Sequence, residues 1–115
     1  MSSNKIYYYI SPSGKNVIRK FILSLQKNQQ VKVRRILQLI NDYGLTSANP
    51  HIKKLFGTPF WEIRILGKDN IRILYVALDI NSILVLHGFN KKTQKTPMRE
   101  IQIAINRYSE WQSNH

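Results

Sequence analysis

The chain has 115 residues, 18 of them Lys or Arg against 6 Asp or Glu, for a formal net charge of +12. That length predicts one domain over residues 1–115, and 43% hydrophobic residues suffice for a single core. The lack of cysteine excludes disulfides, thiol catalysis and cysteine-ligated metal, while the lack of a leader-like or ~18-residue apolar run makes a cytoplasmic protein the expectation.

Lys5 to Ile10, rich in isoleucine and tyrosine, predicts a first strand. Ser11-Pro12 reads as an N-cap followed by proline at the first helical position, and Val17, Ile18, Phe21, Ile22 and Leu25 follow at helical spacing. Lys27 to Gln30 reads as a short connection. A second helix places Val33, Ile36, Leu37 and Ile40 inward and ends at Gly44, which suits a left-handed cap. Two helices so joined make an antiparallel hairpin. Lys32, Arg34 and Arg35 read as a solvated helix face, with contact to a protein partner or ribosomal RNA as the functional alternative.

Leu45 to Lys54 contains Asn49-Pro50 and reads as a loop. Trp61, Ile63 and Ile65 alternate with Glu62, Arg64 and Leu66, the pattern of a half-buried strand. Turn chemistry at Gly67–Asn70 leads to a strand over Ile71–Leu78, and Asp79–Ser82 to another over Ile83–Phe89. That last strand is apolar on both faces except at His87, which puts it in the sheet interior. Thr96-Pro97 reads as a cap-plus-proline start of a final helix, with Ile101, Ala104, Ile105 and Tyr108 as its buried stripe. The order predicts an α+β fold: an N-terminal strand, an α-helical hairpin, a three-stranded antiparallel meander and a C-terminal helix.

Register decides what the strand arginines do, because a one-residue slip turns every side chain over. Pairing Leu66 with Ile71 sends Arg64 and Arg72 to opposite faces. Pairing Leu66 with Asn70 places them directly opposite each other, with Gly67 or Asn70 left-handed in the loop. The apolar pattern favours the second register, which puts Ile71, Ile73 and Tyr75 beside Trp61, Ile63 and Ile65. Like charges so placed repel by some tenths of a kcal/mol. Either solvent screens them on an exposed face or an anion bridges them, and the planar guanidinium fork suits phosphate.

Lys91, Lys92 and Lys95 lie between the last strand and the final helix, whose free N–H groups also attract anions. An ordinary charged loop is the plain reading; a phosphodiester held by loop lysines, helix start and strand arginines is the functional one. His87 is expected to be a buried, hydrogen-bonded histidine or a general acid or base. Glu62 is expected to orient Arg64 through an ion pair, or to act as a base. The histidines and scattered acids match no metal site. A cation excess of this size calls for an anionic partner, with RNA the leading one.

Several stretches resemble the RelE/ParE toxin superfamily, and most nearly its phage-derived HigB-like branch. They are Ser11-Pro12, Lys53-Lys54-Leu55-Phe56-Gly57, Phe60-Trp61-Glu62-Ile63-Arg64, Ile71-Arg72-Ile73-Leu74-Tyr75, and His87 through Thr96-Pro97 with Glu100-Ile101 and Ala104 after it. The resemblance implies a RelE-like fold and the toxin of a type II toxin–antitoxin pair, a ribosome-dependent mRNA endonuclease. It implies metal-independent attack by the messenger's own 2′-OH in the ribosomal A site, no cofactor, and an antitoxin of helix-turn-helix type. By the same resemblance Arg64 lies near the 2′-OH, Arg72 at the scissile phosphate, and Lys91 with Lys92 at the basic pair after the last strand. Lys53, Lys54 and Lys95 are expected to contact RNA. Glu62 stands where RelE has a lysine, and RelE's carboxyl-terminal tyrosine has no counterpart, so a general base is not carried over; His87, Glu62 and a lysine stay open. A ParE-like inhibitor of DNA gyrase and a non-catalytic RNA-binding module are the alternatives.

Overall fold

A computed structural model describes residues 5–44, 51–65, 70–91 and 95–115. In chain order it holds β1 (Lys5–Tyr8), α1 (Val17–Leu23), α2 (Lys27–Tyr43), β2 (Ile52–Lys54), β3 (Phe60–Ile65), β4 (Ile71–Asp79), β5 (Ser82–Asn90) and α3 (Met98–Asn114). The strands form one sheet in the order β1-β5-β4-β3-β2, antiparallel except where β1 runs parallel to β5. The α+β architecture expected from the sequence is therefore present, with β5 interior.

Both faces of the sheet are covered, which explains why β4 and β5 are apolar on both sides. Ile18, Ile22, Val33, Ile36, Leu37 and Ile40 of the helical hairpin pack on Ile63, Ile65, Ile71, Ile73, Tyr75 and Val85. On the opposite face, Ala104, Ile101, Tyr108 and Trp111 of α3 pack with Phe60, Leu74, Val76, Leu84 and Leu86. The stripe on α3 thus differs from the expected one: Ile105 is exposed, and Trp111 extends the contact instead.

Helix starts differ from the sequence reading. Ser11-Pro12 is a turn, in which the Ser11 carbonyl accepts from the Gly14 N–H at 2.8 Å and the Ser11 hydroxyl from the Lys15 N–H at 3.1 Å. Serine and proline favour turns and caps for the same local reasons, so the pair does not separate them. The α1 cap is Asn16, whose side chain accepts from the Arg19 N–H at 2.9 Å. Lys27–Gln30 is the first turn of α2 rather than a connection, and the Gln29 side chain accepts the Gln26 backbone N–H at 2.9 Å. Gly44 ends α2 with φ of 95°, a positive angle that glycine adopts without strain.

Residues 45–50 lie outside the described residues, but 52–54 are a short edge strand rather than part of a loop. The β3–β4 register pairs Arg64 with Arg72 and Ile65 with Ile71, as the apolar alternation requires. Asn70 takes the left-handed conformation at φ 46°. Between β4 and β5, Leu74 pairs with His87 and Tyr75 with Val85, leaving Leu86 as the extra residue of a bulge. Gly88 lies under Phe21: an added Cβ would sit 2.5 Å from Phe21 Cε2. No helix among the described residues is long and apolar enough to cross a membrane.

Candidate nucleic-acid interface

The end of the sheet beside the start of α3 gathers charge. Strand pairing sets Lys53 opposite Glu62 and Arg64 opposite Arg72, so all four belong to the face that α3 covers. Lys91 follows β5 and donates its backbone N–H to the Asn70 carbonyl at 2.8 Å, which holds it at the same end. Burial pushes the Lys91 ammonium below the ordinary lysine range; Glu62 opposes the shift, while Arg72, Lys53 and Arg64 add to it. Lys91 thus lies within electrostatic reach of Glu62, Arg72, Lys53 and Arg64.

The cluster has a dry floor and a wet rim. Glu62 is 1% exposed and Arg72 5%. Arg72 Nε lies 3.4 Å from Glu62 Oε1, an ion pair without hydrogen-bond alignment, and Arg72 also donates to the Ile71 carbonyl at 3.1 Å. Burial lowers the Arg72 pKa from its ordinary value, Glu62 counters this, and Arg64 lowers it further. Thr96 donates its hydroxyl to Glu62 Oε2. This bond changes the role of Thr96: α3 begins at Met98 with Pro97 as its cap, and Thr96 ties the helix entrance to the sheet. Arg64 and Lys91 are half-buried and Lys53 is exposed. The predicted ion pair of Glu62 is made with Arg72 across the strands, not with Arg64 along its own strand. The repulsion between the arginines is thus relieved on one side by a buried carboxylate, and Arg64 keeps its charge toward solvent.

Other sequence candidates fall elsewhere. Lys54 pairs with Trp61 and so sits on the opposite face; its ammonium lies 6.0 Å over the Trp61 ring and donates to the Thr58 carbonyl. Lys95 is exposed just before α3. Lys92 lies outside the described residues. His87 is half-buried under α3, with Nε2 2.6 Å from Glu100 Oε1 and Nδ1 3.4 Å from an Arg107 nitrogen. A neutral ring fits both contacts, donating from Nε2 to the carboxylate and accepting at Nδ1. Burial lowers the His87 pKa, and Arg107 adds to that against the opposing pull of Glu100.

The residues missed from sequence are those that fasten α3. Arg107 donates to the Leu86 carbonyl at 2.8 Å, the group freed by the bulge, and lies 5.2 Å over the Tyr9 ring. Tyr9 donates its hydroxyl to Glu110. Arg107 and Glu110 lie three residues apart on one side of α3, a spacing visible in the sequence, but their partners become visible only once β1 and β5 are adjacent. Among the described residues no group of His, Asp and Glu could hold a metal ion.

A family model described as phage-derived protein Gp49-like (DUF891) matches residues 20–109. That family belongs to the RelE/ParE-like toxin superfamily, consistent with the toxin of a toxin–antitoxin pair and with an antitoxin partner. No curated protein matches the chain. The match runs from α1 into α3, takes in both arginine strands, and covers most of the sequence: the chain belongs to the phage-derived Gp49-like family.

Proposed function

We propose that the protein is a HigB-like mRNA endonuclease that cuts messenger on the translating ribosome by metal-independent attack of the 2′-OH on the adjacent phosphate. The observation that supports this reading most directly is the register that sets Arg64 against Arg72 beside Lys91. Charge accumulates on the nonbridging oxygens and on the departing 5′ oxygen as the 2′-OH attacks. Cations already facing that position stabilise the transition state without reorganising.

Roles follow from exposure. Arg64 and Lys91, at the rim, contact the scissile phosphate, with Lys53 on a neighbouring one. Arg72 contributes its field from the floor and is held there by Glu62. Glu62 therefore acts on the chemistry by fixing Arg72; its own oxygens are occupied by Arg72 and Thr96. His87 has both ring nitrogens engaged and serves α3 rather than proton transfer. Lys91, with its pKa lowered, is the group able to give a proton to the departing 5′ oxygen. Lys95, exposed just before α3, adds positive charge for the messenger, and Lys92, outside the described residues, is assigned to the same basic group by its place in the sequence. The ribosome aligns the attacking and leaving oxygens.

Primer extension on a translated message tests this. Discrete cuts within codons that vanish with Arg64→Ala support the endonuclease. DNA breaks linked to gyrase, with intact messages, would replace it by the ParE-like reading, and salt-sensitive RNA binding without any cut by the binding-module reading.

A further inference from the structure

A second basic cavity lies on the other side of the arginine strand. Lys32, Arg35 and Ile36 of α2, His51, and Arg64 and Ile65 of β3 line a cleft of about 280 Å³. Ile36 and Ile65 form a buried apolar back wall, while Lys32 and Arg35 stand exposed at the mouth. No carboxylate lines it among the described residues. Lys32 and Arg35 belong, with Arg34, to the α2 face that the sequence reads as solvated or as a contact for a protein partner or ribosomal RNA. Arg64 lines this cleft together with them and, through its side chain on the other face, belongs to the cation cluster, where it lowers the Arg72 pKa.

We propose that this cleft is a subsite for one nucleotide of the single-stranded messenger, next to the nucleotides that straddle the cut. The inference rests on the endonuclease reading and extends it. Lys32 and Arg35 take the nucleotide's phosphate, and Ile36 and Ile65 take the flat face of its base or ribose. The lining has the composition of a small-molecule pocket, an apolar wall with a few convergent polar groups. Its volume suits one unpaired nucleotide and not a duplex. Arg64 stands at the junction, where its backbone N–H donates to the His51 carbonyl at 2.7 Å and brings His51 beside the arginine strand.

The test uses an A-A-A trinucleotide with 2′-O-methyl riboses, which cannot be cut, titrated into the full chain and followed by NMR. Expected are shifts of the Ile36 and Ile65 methyls and the His51 ring. The exposed pair Lys32→Ala/Arg35→Ala should erase those shifts and weaken binding. It should also flatten the dependence of log affinity on log salt by about 0.7, the contribution of the one single-strand phosphate that the pair holds. Unmoved Ile36, Ile65 and His51 signals at saturation, or equal shifts in the double variant, overturn the subsite. A double variant that binds the trinucleotide normally but associates poorly with ribosomes would assign the cleft to ribosomal RNA and overturn the messenger assignment. The two readings fail separately. A chain that takes the trinucleotide into the cleft yet makes no cuts on ribosomes refutes the endonuclease and leaves the cleft standing. Cutting without cleft shifts does the reverse.

Discussion

Replacing Arg72 by alanine is the obvious test of the cation cluster, and the structure says it will mislead if read by activity alone. Arg72 and Glu62 are 5% and 1% exposed and sit 3.4 Å apart at their nearest charged atoms. At an effective dielectric near 20, that separation corresponds to about 5 kcal/mol of attraction. Removing one partner leaves the other charge buried, which typically costs about 3–5 kcal/mol. Among the described residues, the Thr96 hydroxyl would remain as the hydrogen-bond partner of Glu62. A domain of this size has about 5–15 kcal/mol in hand, so at the low end of that range Arg72→Ala would be substantially unfolded at growth temperature. Loss of toxicity would then report folding. Glu62→Leu/Arg72→Met removes both charges at similar volume and should recover most of the loss, because apolar replacement of a buried pair is often neutral. Urea unfolding of the two singles and the double closes the cycle, and primer extension on the double reads the chemistry. The reasoning predicts a double that is folded and does not cut. An Arg72→Ala protein within ~1 kcal/mol of the parent would refute the buried-pair account. A folded double that still cuts would refute any role for Arg72 in the reaction.

Arg64→Ala removes a half-buried cation, so its fold should survive while cutting drops about 100–1,000-fold in quantitative primer extension. Lys91→Arg keeps the charge but not the transferable proton; if Lys91 is the acid, cutting should fall nearly as far as in Lys91→Ala. In the parent, cutting should decline as pH rises through a Lys91 value below the ordinary 10.5. His87 has its folded pKa below the ordinary 6.5, so the native state binds fewer protons than the unfolded chain in that window. Its contribution is complete above about 6.5 and lost as pH falls toward the folded value, and chemical unfolding should show this acid slope shrinking in His87→Gln. Gly88→Ala forces a methyl into the Phe21 ring and should cost about 1–3 kcal/mol by thermal unfolding, with partial recovery in Gly88→Ala/Phe21→Leu.

The arginine register was legible because two apolar sets, Trp61-Ile63-Ile65 and Ile71-Ile73-Tyr75, had to share one face, and only one pairing allows it. Nothing comparable marked β2, whose three residues carry two lysines and gain strand character from the neighbour they pair with. The start of α1 was misplaced because Ser11-Pro12 satisfies a turn and a helix cap with the same hydroxyl and the same fixed φ. The floor of the site was hidden for a tertiary reason. An alternating strand with Glu62 and Arg64 on one side reads as half-exposed, yet α3 packs on that side of the sheet and Thr96 reaches down to the Glu62 carboxylate.

This partial cover also bears on how a protein this basic can have a specific site at all. A net charge of +12 attracts any polyanion, and a smooth distribution of it would bind RNA without choosing a bond. Here Glu62 cancels one arginine and holds it below the surface, α3 closes one flank, and Arg64 stands half-buried between the cluster and the α2 cleft. The carboxylate makes the site less positive and better ordered. Glu62→Gln separates these effects. It raises the local positive charge, so free RNA should bind more tightly and with a steeper salt dependence. It also loosens the hold on Arg72, so cutting on ribosomes should fall. Filter binding and primer extension on one preparation decide the matter: if affinity and cutting rise together, total charge governs the activity and the fixed position of Arg72 does not.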